Sequence, residues 1–367
     1  MKKSLIIILI ILLLALSSCN FNTPDSFTGE MNDTKFTHYR QSDGCFSQFI
    51  ETYKGTYYLA NSFVYFSSDG ISEYIKLCSR PDCKHNNADC NAYVNSNSIA
   101  YYNGYIYYVS IYQGSYWLFR MNMDGTDHIN VKELASINER FTGFFEHGYL
   151  YFYKGLIGMQ GNTDKFIYKT AVYDNGDAEV IADTSDIGEI CMFYPQNEYL
   201  YFYVYTDEMM YSIYRYSTAK FKWEDPINIK SGPGNVFINT DKVFWYVNGE
   251  GFYEYAYETK IIEHVADSID SGLYGVSYND EYIYTFQYFE TKYSAVSPML
   301  YIFDRQYNLV DSVLIDIKME DYFSSLYVTE LEDIVLISTS ILKRPPDYYL
   351  VKSEFGSGDI TLRKNSN

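Results

Sequence analysis

Positive charge is the first thing this chain is short of. Lys and Arg number 28 against 47 Asp and Glu, a formal charge of −19, and a surface of that sign repels phosphate, which argues against nucleic acid as a partner. Anionic lipid headgroups are repelled in the same way, so membrane attachment has to come from something other than a basic patch. Histidine is scarce too, with five in 367 residues. His38, His128, His147 and His264 stand alone, with no nucleophile elbow, HExxH helix or comparable catalytic signature around them. The one long apolar run, the twelve residues from Leu5 to Leu16, falls short of the ~20 that a permanent transmembrane helix needs. No segment carries the 3.6-residue apolar period of a long amphipathic helix.

What is present starts at the N-terminus. Met1-Lys2-Lys3, the apolar run and then small Ser17 and Ser18 have the layout of an export signal. Leu16-Ser17-Ser18-Cys19 resembles the lipobox of bacterial lipoproteins. That resemblance implies cleavage before Cys19 and transfer of a diacylglyceryl group to its thiol, the one side chain able to form the thioether. Two acyl chains hold a protein at a membrane where one does so only marginally. Residues 1–18 are therefore expected to be a signal peptide, and 19–35 a lipidated Cys19 with a polar tether. With Lys2 and Lys3 removed, 26 basic residues face 47 acidic ones, and the mature charge is −21.

Residues 36–367 are expected to form one all-β domain. Aromatics make up 19% of the chain, with 43 Tyr and 24 Phe, and aromatic side chains favour strands. One phrase recurs at intervals of roughly 40 to 50 residues: a polar turn, an aromatic strand, a short loop and a second strand. Its clearest copy runs Asn103-Gly104-Tyr105-Ile106-Tyr107-Tyr108-Val109, then Tyr116 to Gly125. Other copies begin near Lys54, His147, Asn197, Asp241, Asn279 and Glu332, with partner strands near Ile167, Ser212, Phe252, Leu300 and Tyr348. A period of this length, with room for four strands, is that of a β-propeller blade. The count points to seven blades, with six or eight also compatible. The first strand is expected near Ser47-Gln48-Phe49-Ile50 and the last over Asp359 to Arg363.

The pattern Tyr-Ile-Tyr-Tyr, then Leu-Phe-Arg-Met-Asn-Met-Asp-Gly, resembles the YWTD-type blades of low-density-lipoprotein-receptor-related propellers, although no literal Tyr-Trp-Thr-Asp is present. With the lipobox, the chain is similar to lipoproteins of Gram-positive anaerobes that carry such a propeller, of unknown function. The resemblance implies a fold and a location at the outer face of the cell membrane. It supplies no catalytic residues.

One local cluster stands out: Cys78, Cys83, His85 and Cys90, spaced Cys-x4-Cys-x-His-x4-Cys around Arg80-Pro81. Three thiolates and an imidazole suit a tetrahedral, structural Zn²⁺. In an exported protein the same cysteines can instead pair as a disulfide among Cys78, Cys83 and Cys90. Five cysteines remain after Cys19, an odd number, and Cys191 in the run Ile190-Cys191-Met192-Phe193-Tyr194 is expected to be a buried free thiol.

The acidic pairs Asp207-Glu208, Glu320-Asp321 and Glu332-Asp333 are the only hint of glycosidase-like chemistry, and an acidic chain carries such pairs by chance. Asp174-Asn175-Gly176-Asp177 lacks the spacing of a calcium loop and reads as a turn. The expectation is a lipid-anchored, non-catalytic binding module for an extracellular protein or glycan. The alternatives are a glycan-cleaving enzyme with carboxylates at the propeller channel and a structural or sensory partner of another envelope protein.

Overall fold

The computed structural model describes residues 48–139, 141–154, 165–205, 211–229, 236–238, 241–247, 249–268, 273–278, 281–287, 299–315, 327–338 and 346–365. The signal peptide, Cys19, the tether and His38 lie outside them, as do Asp207-Glu208 and Glu320-Asp321. The described residues all fall within one compact unit. Among the described residues no helix is long and apolar enough to cross a membrane.

The strands fall into seven antiparallel sheets, each made of consecutive strands in simple meander order. They are blades 1 (49–76), 2 (99–136), 3 (142–183), 4 (189–229), 5 (236–267), 6 (273–314) and 7 (327–364). Six are four-stranded. In blade 4 the outer strand is split into Lys222–Trp223 and Ile227–Ile229, which pair with opposite ends of the third strand.

The aromatic runs follow from burial on both faces. A strand with one wet face alternates apolar with polar, whereas one covered on both faces reads as a continuous apolar run. In blade 4, Leu200, Phe202 and Val204 pack toward blade 3, while Tyr201 and Tyr203 pack toward blade 5. In blade 1, Tyr57 and Leu59 face blade 2, and Tyr58 and Ala60 face blade 7. Each fully buried large side chain contributes about 1.5–3 kcal/mol. Seven such clusters fill the seven seams between neighbouring blades.

The seam that closes the ring, between blades 7 and 1, sets Phe49, Tyr58 and Ala60 against Leu331, Ile334 and Leu336. Among the described residues no strand is shared across it. Side-chain packing and a hydrogen bond from the Glu332 backbone N–H to the Glu51 carboxylate Oε1 (3.3 Å) join the two blades.

The repeat in the sequence has a structural cause. The second strands of blades 2, 3 and 4 begin Tyr-x-Tyr, and the third strand places a cation opposite the second tyrosine: Arg120 opposite Tyr107, Lys169 opposite Tyr151, Arg215 opposite Tyr201. Each cation lies over the ring of the first tyrosine, at 4.5, 4.1 and 4.3 Å from its centroid. The tight turns use left-handed residue pairs such as Asn103-Gly104 (φ 47° and 84°), the conformation that suits two-residue hairpins.

The expected hairpins of the described blades coincide with observed second and third strands. The chain ends differ. The first strand is Phe49–Thr52, with Ser47 outside the described residues. The last strand is Arg363–Lys364 and not Asp359 to Arg363, because Gly356 and Gly358 (φ 78° and 72°) turn the chain just before it.

Candidate metal centre

The cysteine and histidine residues sit on a loop that interrupts the outer strand of blade 1. That strand starts as Ile75–Lys76, paired with Phe66 and Tyr65. It resumes as Ala92–Val94, where Tyr93 bridges to Phe63. Between these pieces, Leu77 N–H donates to the Val64 carbonyl (2.9 Å) and Val64 N–H donates to the Ala92 carbonyl (2.8 Å). Both ends of the loop 78–91 are thus fastened to one residue of the neighbouring strand.

Blade 2 holds the same two ends. Its turn at Gly125 approaches the Leu77 carbonyl so closely that a Cβ there would lie 2.2 Å from the oxygen. His128 sets its Nε2 at 2.8 Å from the Asn91 carbonyl and its Nδ1 at 2.6 Å from the Tyr108 hydroxyl. Donation from Nε2–H to Asn91 O, with Nδ1 accepting from Tyr108, satisfies both contacts. Tyr57 Oη–H donates to the Met123 carbonyl at 3.0 Å, across the same seam.

Within the loop, one ligand atom each from Cys78, Cys83, His85 and Cys90 lies within 4.8 Å of the others. His85 Nδ1 is 3.5 Å from Cys90 Sγ. Cys83 Sγ accepts the backbone N–H of His85, two residues further on, at 3.4 Å. His85 is left-handed (φ 52°), which curls the chain back over Cys83. Its carbonyl accepts the Lys76 ammonium, which also lies 4.2 Å from the Phe63 ring centroid. Arg80 Nη1 donates to the Asp89 carbonyl at 2.8 Å, tying the two arms of the loop.

The sulfurs differ electrostatically. Burial pushes the Cys78 thiol up, but N–H donors from Arg80 and Asn91 outweigh it and leave the group below its ordinary range. Burial dominates at Cys90, whose thiol is pushed up to about 11 against the Ala92 N–H. Cys78 and Cys83 are half-buried and Cys90 is buried, and all three are free thiols here. The residues form a group of metal-binding dimensions.

No protein-family model and no curated protein matches this chain. Solved structures do, at the level of architecture. A computationally designed protein, Ika8, aligns with TM-score 0.46 and 7% identity over 90% of this chain and 99% of its own. BamB from Moraxella catarrhalis gives 0.42 and 11% over 83% and 93%. The WD40 β-propeller domain of Doa1 gives 0.39 and 9% over 72% and 87%. The blade count rests on the chain's own sheets.

The other sequence candidates are placed as follows. Cys191 is half-buried, not buried, because it is the extra residue of a bulge between Ile190 and Met192 in the inner strand of blade 4. His147 lies at 3.1 Å from Glu146, and His264 Nε2 is 3.2 Å from the Glu250 carbonyl. Asp174 caps the Gly176 N–H at 2.9 Å and takes the Lys132 ammonium at 3.2 Å, so its carboxylate serves a turn. Glu332 and Asp333 are exposed in the first turn of blade 7. Sequence reasoning missed Lys76, Gly125 and His128 as parts of the loop's surroundings. Nothing in their spacing links them to it.

Proposed function

We propose that this chain is a lipid-anchored propeller at the outer face of the cell membrane, acting as a non-catalytic module that binds a glycan or protein. Support for binding comes from an aromatic group on the turn end of blades 2 and 3. Tyr173, 51% exposed, stacks on Tyr102 at 5.5 Å. Flat, partly wet tyrosine rings with hydroxyl tips suit sugar rings. The described acidic side chains argue against catalysis. Glu146 and Glu330 are the only buried ones among them, and they are engaged by His147 at 3.1 Å and Lys352 at 2.8 Å. A structural zinc, the cofactor the cysteine spacing points to, is compatible with this reading and not required by it.

The glycan-cleaving alternative has one observation in its favour: burial raises the Glu330 carboxyl, against Lys352, as an acid catalyst requires. A glycan array probed with the full chain and with Tyr173→Ala separates these readings. Binding lost in Tyr173→Ala with the glycans intact supports the module. Glycans shortened by the parent chain, and spared by Glu330→Gln, overturn it. The anchor is tested by Cys19→Ala, which should leave an unprocessed precursor; unaltered, freely released product would refute lipidation.

A further inference from the structure

We infer that Cys78, Cys83, His85 and Cys90 bind one Zn²⁺, and that the ion closes the break in the outer strand of blade 1 and fastens it to blade 2. Four donors converge, and no other group of three or more His, Cys, Asp or Glu among the described residues does so. With Zn–S about 2.3 Å and Zn–N about 2.0 Å, the ligand atoms of a tetrahedral site stand about 3.5–3.8 Å apart. The His85 Nδ1 to Cys90 Sγ distance of 3.5 Å is already such an edge, and no separation among the four exceeds 4.8 Å.

The His85 N–H donates to Cys83 Sγ at 3.4 Å, and a backbone donor of this kind suits a sulfur that carries negative charge on a metal. Three thiolates and a neutral imidazole leave a zinc site one negative charge. Lys76 stands at the His85 carbonyl, a cation in a chain that has few. Soft sulfur donors select zinc over calcium or magnesium. Four protein ligands leave no open position for water or substrate, so the ion's work is structural. A disulfide would use two of the sulfurs and leave the third and the imidazole without a role.

The position of the loop says what the ion holds. Leu77 and Ala92 are bonded to Val64 of blade 1, and the carbonyls of Leu77 and Asn91 are met by Gly125 and His128 of blade 2. Ligands from both arms of the loop close it between these attachments, so the seam and the site are coupled.

The test uses the full chain, expressed with zinc, extracted in detergent without chelator and measured for metal by mass spectrometry. About one zinc per chain is expected, falling to about a tenth of that in Cys83→Ser/Cys90→Ser and unchanged in Cys191→Ser. Cobalt exchange should give sulfur charge-transfer absorption and the strong d–d bands of a tetrahedral ion, and chelation should speed amide exchange at Leu77 and Ala92–Val94 before blades 4 to 6. Absence of zinc after loading the reduced chain, or zinc unchanged in the double variant, overturns the site. So does a thiol count two short of the free total on the chain as isolated. Should the double variant fail to fold, the cobalt spectrum of the parent chain decides, and octahedral bands or none overturn the inference.

Discussion

The contact between Gly125 and Leu77 can be isolated by a matched pair of substitutions. Gly125 and Gly104 both close turns of blade 2, at φ 82° and 84°. Alanine at either position has the same left-handed strain, about 1–2 kcal/mol, partly offset by about 0.4–1 kcal/mol from a stiffer unfolded chain. These terms cancel in the comparison. The surroundings do not, because a Cβ on Gly104 meets nothing within 4 Å, whereas one on Gly125 lies 2.2 Å from the Leu77 carbonyl oxygen and 3.2 Å from Leu77 Cγ. Leu77 cannot retreat freely, since its N–H is bonded to Val64 at 2.9 Å. Overpacking of this kind costs about 1–3 kcal/mol. Gly125→Ala should therefore be less stable than Gly104→Ala by about 1–3 kcal/mol in urea unfolding followed by tyrosine and tryptophan fluorescence. Two variants within about 0.5 kcal/mol of each other would show that blade 2 does not press on the loop, and would remove the seam from the argument.

Arg215 is held between Tyr199 and Tyr257 at 4.3 and 3.3 Å from the ring centroids, with Nε donating to Glu224 at 2.7 Å; Arg215→Lys keeps the charge but loses the planar stack and should cost about 1–2 kcal/mol, so equal unfolding midpoints would contradict the stacking role. Burial raises the Glu330 carboxyl above its ordinary 4.5 despite Lys352, so the folded chain holds that proton more tightly than the unfolded one. Its contribution is then fully present below about pH 4.5 and lost as pH rises through the raised value. The stability of Glu330→Gln relative to the parent should shift in the variant's favour between acid and neutral pH, and a pH-independent difference would be the contrary result.

The blades were legible in the sequence because their second strands are covered on both faces. Tyr199–Tyr205 and Tyr149–Tyr153 can be nothing but aromatic and aliphatic along their length, and turns such as Asn103-Gly104 punctuate them. The outer strands were harder to read. Ile261–Asp267 is mostly exposed, so it has no burial period to betray it. The inner strand of blade 4 carries a bulge at Cys191, which breaks the alternation midway and explains why an apolar run there did not mean a buried thiol. At the candidate metal centre the four donor residues were legible from residue type, and the interruption of the strand in which they sit was not. Ile75–Lys76 and Ala92–Val94 are each too short to register as strands, and only the shared bonds to Val64 show that they are one strand.

That last point bears on where function sits in a repeat fold. The seven seams are variations on one packing problem, and each is satisfied by aromatic and aliphatic clusters whose members can change while the pattern survives. Departures from the pattern have no such explanation. The loop 78–91 is one. It spends chain on a detour that returns to the residue it left, anchored at both ends by Val64 and crossed by Arg80 donating to the Asp89 carbonyl. A detour of this length has an entropic cost to order, and its described residues contribute little apolar burial beyond Cys90. Something other than burial must offset that cost. The donor set at its centre, three sulfurs and an imidazole within 4.8 Å, is the one element of the loop whose chemistry is strong enough to do so.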